Sequence, residues 1–302
     1  MSAFRFKVKK NKSMAQGDLS PLFENGQSEI QRVGSKFLKR VVTSLLLIGV
    51  TAGILFFMKP FYFCLEVVLF VVLALIEFFD LLRGQAIPVY RLFGLAIGAT
   101  IPAIVFFELG STASGEILFL VLGCLFLFLL QFFHKDNSQA LIGISLTLFG
   151  VLYISWFLSF LIKIRFLEGG MFWIAYLLAV TKAGDIGAYA AGTLFGRHSL
   201  MPHISPKKSV EGMIGGLTGS VLVSFFLRKF LPLDFFLIHV LVLGLLIGVV
   251  GQIGDLSESL MKRFCKAKDS GKLLPGMGGV LDAVDSIIFT APIFYFHLKI
   301  YL

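Results

Sequence analysis

The chain has 302 residues, 57% of them hydrophobic and only 15% charged, with 34 phenylalanines and a mean hydropathy of +0.89. Soluble globular chains are nearer half apolar and a quarter charged, so the composition excludes a soluble domain and predicts an all-α, polytopic integral membrane protein. The formal charge of +9 reads as Lys and Arg retained in cytoplasmic loops, with no nucleic-acid partner. The scattered Cys64, Cys124 and Cys265 exclude a disulfide framework or a CxxC metal knuckle.

Residues 1–37 open with MSAFRFKVKKNK and stay polar. No apolar core follows the basic start within the reach of a signal peptide, so this segment is expected to be a basic cytoplasmic tail. Residues 38–302 form the membrane domain. Spanning runs need roughly 20 apolar residues, and about nine are expected, near 38–58, 61–82, 91–109, 116–133, 140–162, 171–195, 210–230, 234–254 and 284–302. Only Lys59-Pro60 separates the first two, which predicts a tight hairpin.

With nine spans, 20 of the 27 Lys and Arg fall on the side of the N-terminus, six on the other side, and Lys182 inside a span. That bias predicts a cytoplasmic N-terminus. It also puts the two polar loops, 196–209 and 255–285, on the cytoplasmic face.

Span two carries Glu66 and Glu77, for which the sequence offers no partner. Span six carries TKAGDIGAYAAG, with Lys182 and Asp185 three residues apart in an apolar helix. Intramembrane charges are usually paired or functional, and a neutralising ion pair is the plain reading here. Gly184, Gly187, Ala191 and Gly192 would let a helix or a substrate approach closely. In the first loop Ser205, Lys207, Lys208 and Ser209 form a hydroxyl and ammonium cluster suited to phosphate. A loop that is basic only because it is cytoplasmic explains them equally well.

If span eight continues past the membrane, Asp255, Ser259, Lys262, Arg263 and Lys266 share one helical face. Such a face could simply touch anionic headgroups. It is followed, however, by Lys268-Asp269, by Gly271, Pro275, Gly276, Gly278 and Gly279, and by Asp282 and Asp285 on one face of the next helix. Carboxylates at a helix N-terminus favour the dipole, so capping is the simple account of either one. Three acids beside five cations also suit a divalent metal with a phosphate-bearing ligand. Mg²⁺ takes a few carboxylates and completes its shell with water and phosphate oxygens; Asp255, Asp282 and Asp285 are the metal candidates.

These residues resemble the phosphatidate cytidylyltransferase (CDP-diacylglycerol synthase) family. The family's long signature matches in register at Ser259, Lys262, Arg263, Lys268, Asp269, Gly271, Pro275, Gly278, Gly279, Asp282 and Asp285. DIGAY at 185–189 and SPKKSVEG at 205–212 agree in order and spacing. Met277 stands where the family usually has His, and Ala283 where it usually has Arg; Lys182 or Lys272 is a candidate to replace the lost cation. The resemblance implies transfer of the cytidylyl group of CTP to phosphatidic acid at the bilayer surface, for phospholipid biosynthesis. The products would be CDP-diacylglycerol and pyrophosphate. It implies Mg²⁺, with room for a second ion, and permits a homodimer. Asp255, Asp282, Lys268 and Asp269 would be catalytic. Asp185, Ser205, Lys207, Lys208, Ser259, Lys262, Arg263, Gly278 and Gly279 would hold substrate. A CTP-dependent polyprenol or phytol kinase, and a transporter built on internal repeats, are the alternative readings.

Overall fold

The computed structural model describes residues 20–107, 115–133, 137–232 and 236–301, with side chains from residue 38 onward. In lipid every backbone polar group must be satisfied within the segment, and the apolar runs accordingly appear as helices. In chain order these are α1 Ser20–Phe57, α2 Pro60–Arg83, α3 Arg91–Phe107, α4 Gly115–Phe132, α5 Ala140–Gly150, α6 Phe157–Arg165, α7 Gly170–Phe195, α8 Val210–Leu227, α9 Leu237–Phe264 and α10 Val280–Tyr301. A π-helical stretch, Val151–Trp156, joins α5 to α6, so the two form one span.

Among the described residues seven helical spans are long and apolar enough to cross a membrane, and Arg91–Phe107 is a shorter apolar helix. Those seven do not include α2, whose 24 residues carry Glu66, Glu77, Asp80 and Arg83. The expected nine runs therefore all exist as helices, but as spans nine is an approximate count. The chain is an all-α, multi-pass membrane protein. The expected boundary at residue 38 falls inside α1, which begins at Ser20. Residues 1–19 of the expected tail lie outside the described residues.

Pro60 at the first position of α2 makes the predicted hairpin, because its fixed φ suits a helix start and its missing N–H is not needed there. Burial then ranks the helices. In α10, 67% of the apolar window is buried, against 6% in α1, so α10 runs through the bundle and α1 lies on its rim. The fully buried Trp173, Tyr176, Phe79, Phe160 and Phe294 fill the centre. α7 and α8 meet through small residues: a Cβ at Gly187 would lie 2.5 Å from the Gly215 carbonyl oxygen. α9 and α10 cross at Gly254, where a Cβ would lie 2.5 Å from the Asp285 carbonyl oxygen.

The first polar loop folds into an antiparallel pair, β1 Ser199–Met201 and β2 Ser205–Ser209. It lies at the same end of the bundle as the 265–279 loop, because Arg263 Nε donates to the Ile204 carbonyl at 3.0 Å. The start of the α1 span reaches this end too, Thr43 Oγ1 donating to the Pro275 carbonyl at 3.0 Å.

Candidate active site

The crossing at Gly254 decides which carboxylates meet. Asp255 and Glu258 lie three residues apart on α9, and the close approach of α10 brings in Asp285. Ligand oxygens of Asp255, Glu258 and Asp285 all lie within 4.8 Å of one another. Asp255 is half-buried, Asp285 is buried and Glu258 is fully buried. Three like charges so close in a low-dielectric setting repel unless cations balance them.

The balancing ammonium groups come from three elements. Lys208 on β2 meets Asp255 at 2.7 Å. Lys262, one turn beyond Glu258 on α9, pairs with Glu258 and with Asp282, the latter at 2.5 Å. Lys182 on α7 meets Asp185 at 2.9 Å, the expected ion pair. Ser286 Oγ links Asp185, at 3.1 Å, to Asp285, at 2.9 Å. Ser270 Oγ joins Glu77 to Asp282 in the same way, so six carboxylates and three ammonium groups form one connected network with a formal deficit of three negative charges. A divalent cation would offset most of that deficit. An all-oxygen donor set with no His or Cys suits Mg²⁺ and not zinc. Glu258 Oε1 is buried with no hydrogen-bond partner, as expected of an oxygen reserved for a cation. The residues present therefore fit the metal.

Of the three metal candidates from sequence, the structure brings Asp255 and Asp285 together and places Asp282 apart from the trio. Asp282 Oδ2 instead accepts from the backbone N–H groups of Ser270 at 2.9 Å and Gly279 at 2.7 Å, and from Ser270 Oγ at 2.8 Å. It sits in the first turn of α10 and closes that turn in the manner of a capping box. Glu77 completes the cap from α2. Its carboxylate accepts from Val280 N at 3.0 Å and Leu281 N at 2.9 Å, and from Ser270 Oγ at 3.2 Å. The paired glycines follow from this crowding. A Cβ at Gly279 would lie 2.2 Å from both Glu77 Oε2 and Ser270 Oγ, and one at Gly278, whose φ is +105°, 2.6 Å from Asp282 Oδ2. The groups that lie close to Gly278 and Gly279, the glycines expected to hold substrate, are the protein's own Asp282, Glu77 and Ser270 side chains.

The remaining candidates form the rim. Lys207, Arg263, Lys268 and Asp269 are exposed, Ser205 is half-buried and Ser259 is buried on α9. Met277 Sδ accepts from Ser44 Oγ at 3.4 Å, which fixes the loop to α1.

Sequence reasoning missed the parts played by Glu258 and Glu77. Glu258 was legible as the residue three after Asp255 and four before Lys262. Tyr153 lies in the π-helical stretch, a distortion common at functional sites. Its ring packs at 5.6 Å against Phe289, one turn beyond Asp285 on α10, and its buried hydroxyl has no hydrogen-bond partner.

Comparison with known sequences adds a separate line. A model of the cytidylyltransferase family matches residues 38–301. A phosphatidate cytidylyltransferase of Synechocystis is 32% identical over 294 residues, covering 87% of this chain and 97% of that protein. One from Bacillus subtilis is 39% identical over 151 residues, covering 50% of this chain and 56% of its own. The uncharacterized protein YnbB of Escherichia coli is 39% identical over 158 residues, or 52% of each. Measured by matched residues, the chain spans about half the length of these last two relatives and nearly all of the first.

Proposed function

The chain belongs to the cytidylyltransferase family, and from that premise we propose that it makes CDP-diacylglycerol and pyrophosphate from CTP and phosphatidic acid. The observation that carries the reading is the trio of half-buried Asp255 with buried Glu258 and Asp285, flanked by lysines at one end of a membrane bundle. Water-soluble nucleotide and lipid headgroup can meet at such a place.

In the reaction a phosphate oxygen of phosphatidic acid attacks the α-phosphorus of CTP. The bond from that phosphorus to the oxygen bridging the β-phosphorus breaks, and pyrophosphate leaves with that oxygen. The lipid phosphate is already anionic near neutral pH, so the site needs no strong general base. The barrier is mainly repulsion between anions and charge growing on the leaving group.

The chain's residues divide the work. Exposed Lys207, Arg263 and Lys268 lower the potential that the incoming phosphates meet. Lys208 and Lys262 hold Asp255 and Glu258 in place through their ion pairs. Asp282 and Glu77 fix the glycine loop over the start of α10. Mg²⁺ would be held by Asp255, Glu258 and Asp285, where it would supply charge neutralisation on the transferring phosphoryl group. The Lys and Arg bias, counted on nine spans, supports a cytoplasmic setting for this end of the bundle and for the N-terminus.

The test is purified protein in detergent or vesicles with labelled CTP and phosphatidic acid. Labelled CDP-diacylglycerol is expected with Mg²⁺ and none in chelator. Equal turnover in chelator overturns the metal assignment, and labelling of a polyprenol but never of phosphatidic acid overturns the substrate.

A further inference from the structure

The signature that this chain resembles usually carries Arg at the position of Ala283, between Asp282 and Asp285. Here that position is an alanine with 8% of its surface exposed, too enclosed for a guanidinium to be added without displacing a neighbour. The backbone of the same residue meets a cation. Lys182 Nζ, reaching across from α7, donates to the Ala283 carbonyl oxygen at 3.0 Å and pairs with Asp185 at 2.9 Å. Asp185 continues through Ser286 to Asp285 of the acidic trio. The ammonium thus stands against the backbone of residue 283, supplied by a different helix and lying outside the matched signature.

We propose that Lys182 is a positioning cation of the site, taking over from α7 the positive charge that the signature usually places at residue 283 of α10. The geometry gives it two tasks. Its bonds to Asp185 and to the α10 backbone tie the turn that carries Asp285 to α7. Its charge offsets the carboxylates where two phosphate-bearing substrates must come together. A guanidinium at 283 would add a second positive charge close to the ammonium of Lys182, and the two like charges are expected to disfavour each other.

This inference rests on the cytidylyl-transfer reading, and its test separates the two. The native protein is compared with Lys182→Met, Lys182→Arg, Ala283→Arg and the double change Lys182→Met with Ala283→Arg. Turnover is measured together with the rise in Tm caused by Mg²⁺ and CTP, which reports binding without chemistry.

Lys182→Met is expected to lower kcat by at least about tenfold, the order of one lost charge-assisted contact, and to shrink the Tm rise. Lys182→Arg should keep most of both. Ala283→Arg alone should be impaired, and the double variant should exceed both Lys182→Met and Ala283→Arg. Recovery by a second-site charge is not expected of a lysine that only packs. Native turnover and a native Tm rise in Lys182→Met overturn the proposal. So does a folded double variant that fails to exceed both single changes. If the Ala283→Arg proteins do not fold, the Lys182→Arg and Lys182→Met pair decides: equal loss in both overturns the proposal, and retention only in Lys182→Arg sustains it. A native protein that never uses CTP and phosphatidic acid refutes the transfer reading instead.

Discussion

Glu77 is a buried acid on α2, more than 190 residues from its partners in sequence, yet it closes the N-terminus of α10. Replacing it with alanine leaves the Val280 and Leu281 N–H groups buried and unpaired and removes a carboxylate from the positive end of the helix dipole. Hydrogen bonds to charged groups contribute roughly 1.5–3 kcal/mol each, so losing the two backbone bonds costs about 3–6 kcal/mol. Glu77→Gln keeps one oxygen acceptor and turns an amide N–H₂ toward the other donor, which costs about half as much, or on the order of 5 °C in Tm. Trp156 and Trp173 give a fluorescence signal for thermal unfolding in detergent, and CTP turnover is read on the same samples. Both variants should lose stability in the order Ala beyond Gln, and turnover should fall in step because the glycine loop and Asp282 move with the cap. A Glu77→Ala protein that melts with the native protein would refute the view that this carboxylate holds α10.

The two aspartates of α10 should separate. Asp285→Asn should lower turnover by at least about two decades, near 2.7 kcal/mol, while raising the Tm of the metal-free protein, because it removes one of three like charges within 4.8 Å. Asp282→Asn should lower Tm and turnover together, since it weakens the Lys262 pair and the bonds to Ser270 and Gly279; the same assays read both. Gly279→Ala, whose Cβ would sit 2.2 Å from two side-chain oxygens, should fail to reach native stability, seen as a lower Tm even with Mg²⁺ and CTP. Cysteines placed at the exposed Ser199 and Lys272 should label from the same side of sealed vesicles, and labelling from opposite sides would show that the two loops do not share a compartment.

Helix existence was legible in the sequence because bilayer burial demands continuous apolar runs, and every expected run is a helix. Boundaries were less legible. α9 extends to Phe264, beyond the apolar stretch, because its last turns face the polar end of the bundle and carry Asp255, Glu258 and Lys262 there. α1 begins well before its apolar run, with Pro21 in its first turn, where a proline suits a helix start. The hairpin at 199–209 was not expected, since its strands are too short and polar to show a period.

The site was legible as a composition and not as a set of contacts. Asp282 and Asp285 have the spacing of one helical face, and spacing alone makes them equivalent. What separates them is the partner each meets. Asp285 faces α9 at the glycine crossing, and Asp282 faces the loop before its own helix. Glu77 escaped for the same reason: an intramembrane acid must have a partner, but a helix N-terminus is made of backbone and leaves no side-chain signal to match. The departure at Met277 also acquires a physical meaning only in three dimensions. Its sulfur accepts from Ser44 while the neighbouring Pro275 carbonyl accepts from Thr43. In this chain the loop position usually held by histidine is therefore used to fasten the glycine loop to α1. Asp255, Glu258 and Asp285 stand together whichever residue occupies position 277, because their proximity comes from the α9–α10 crossing at Gly254.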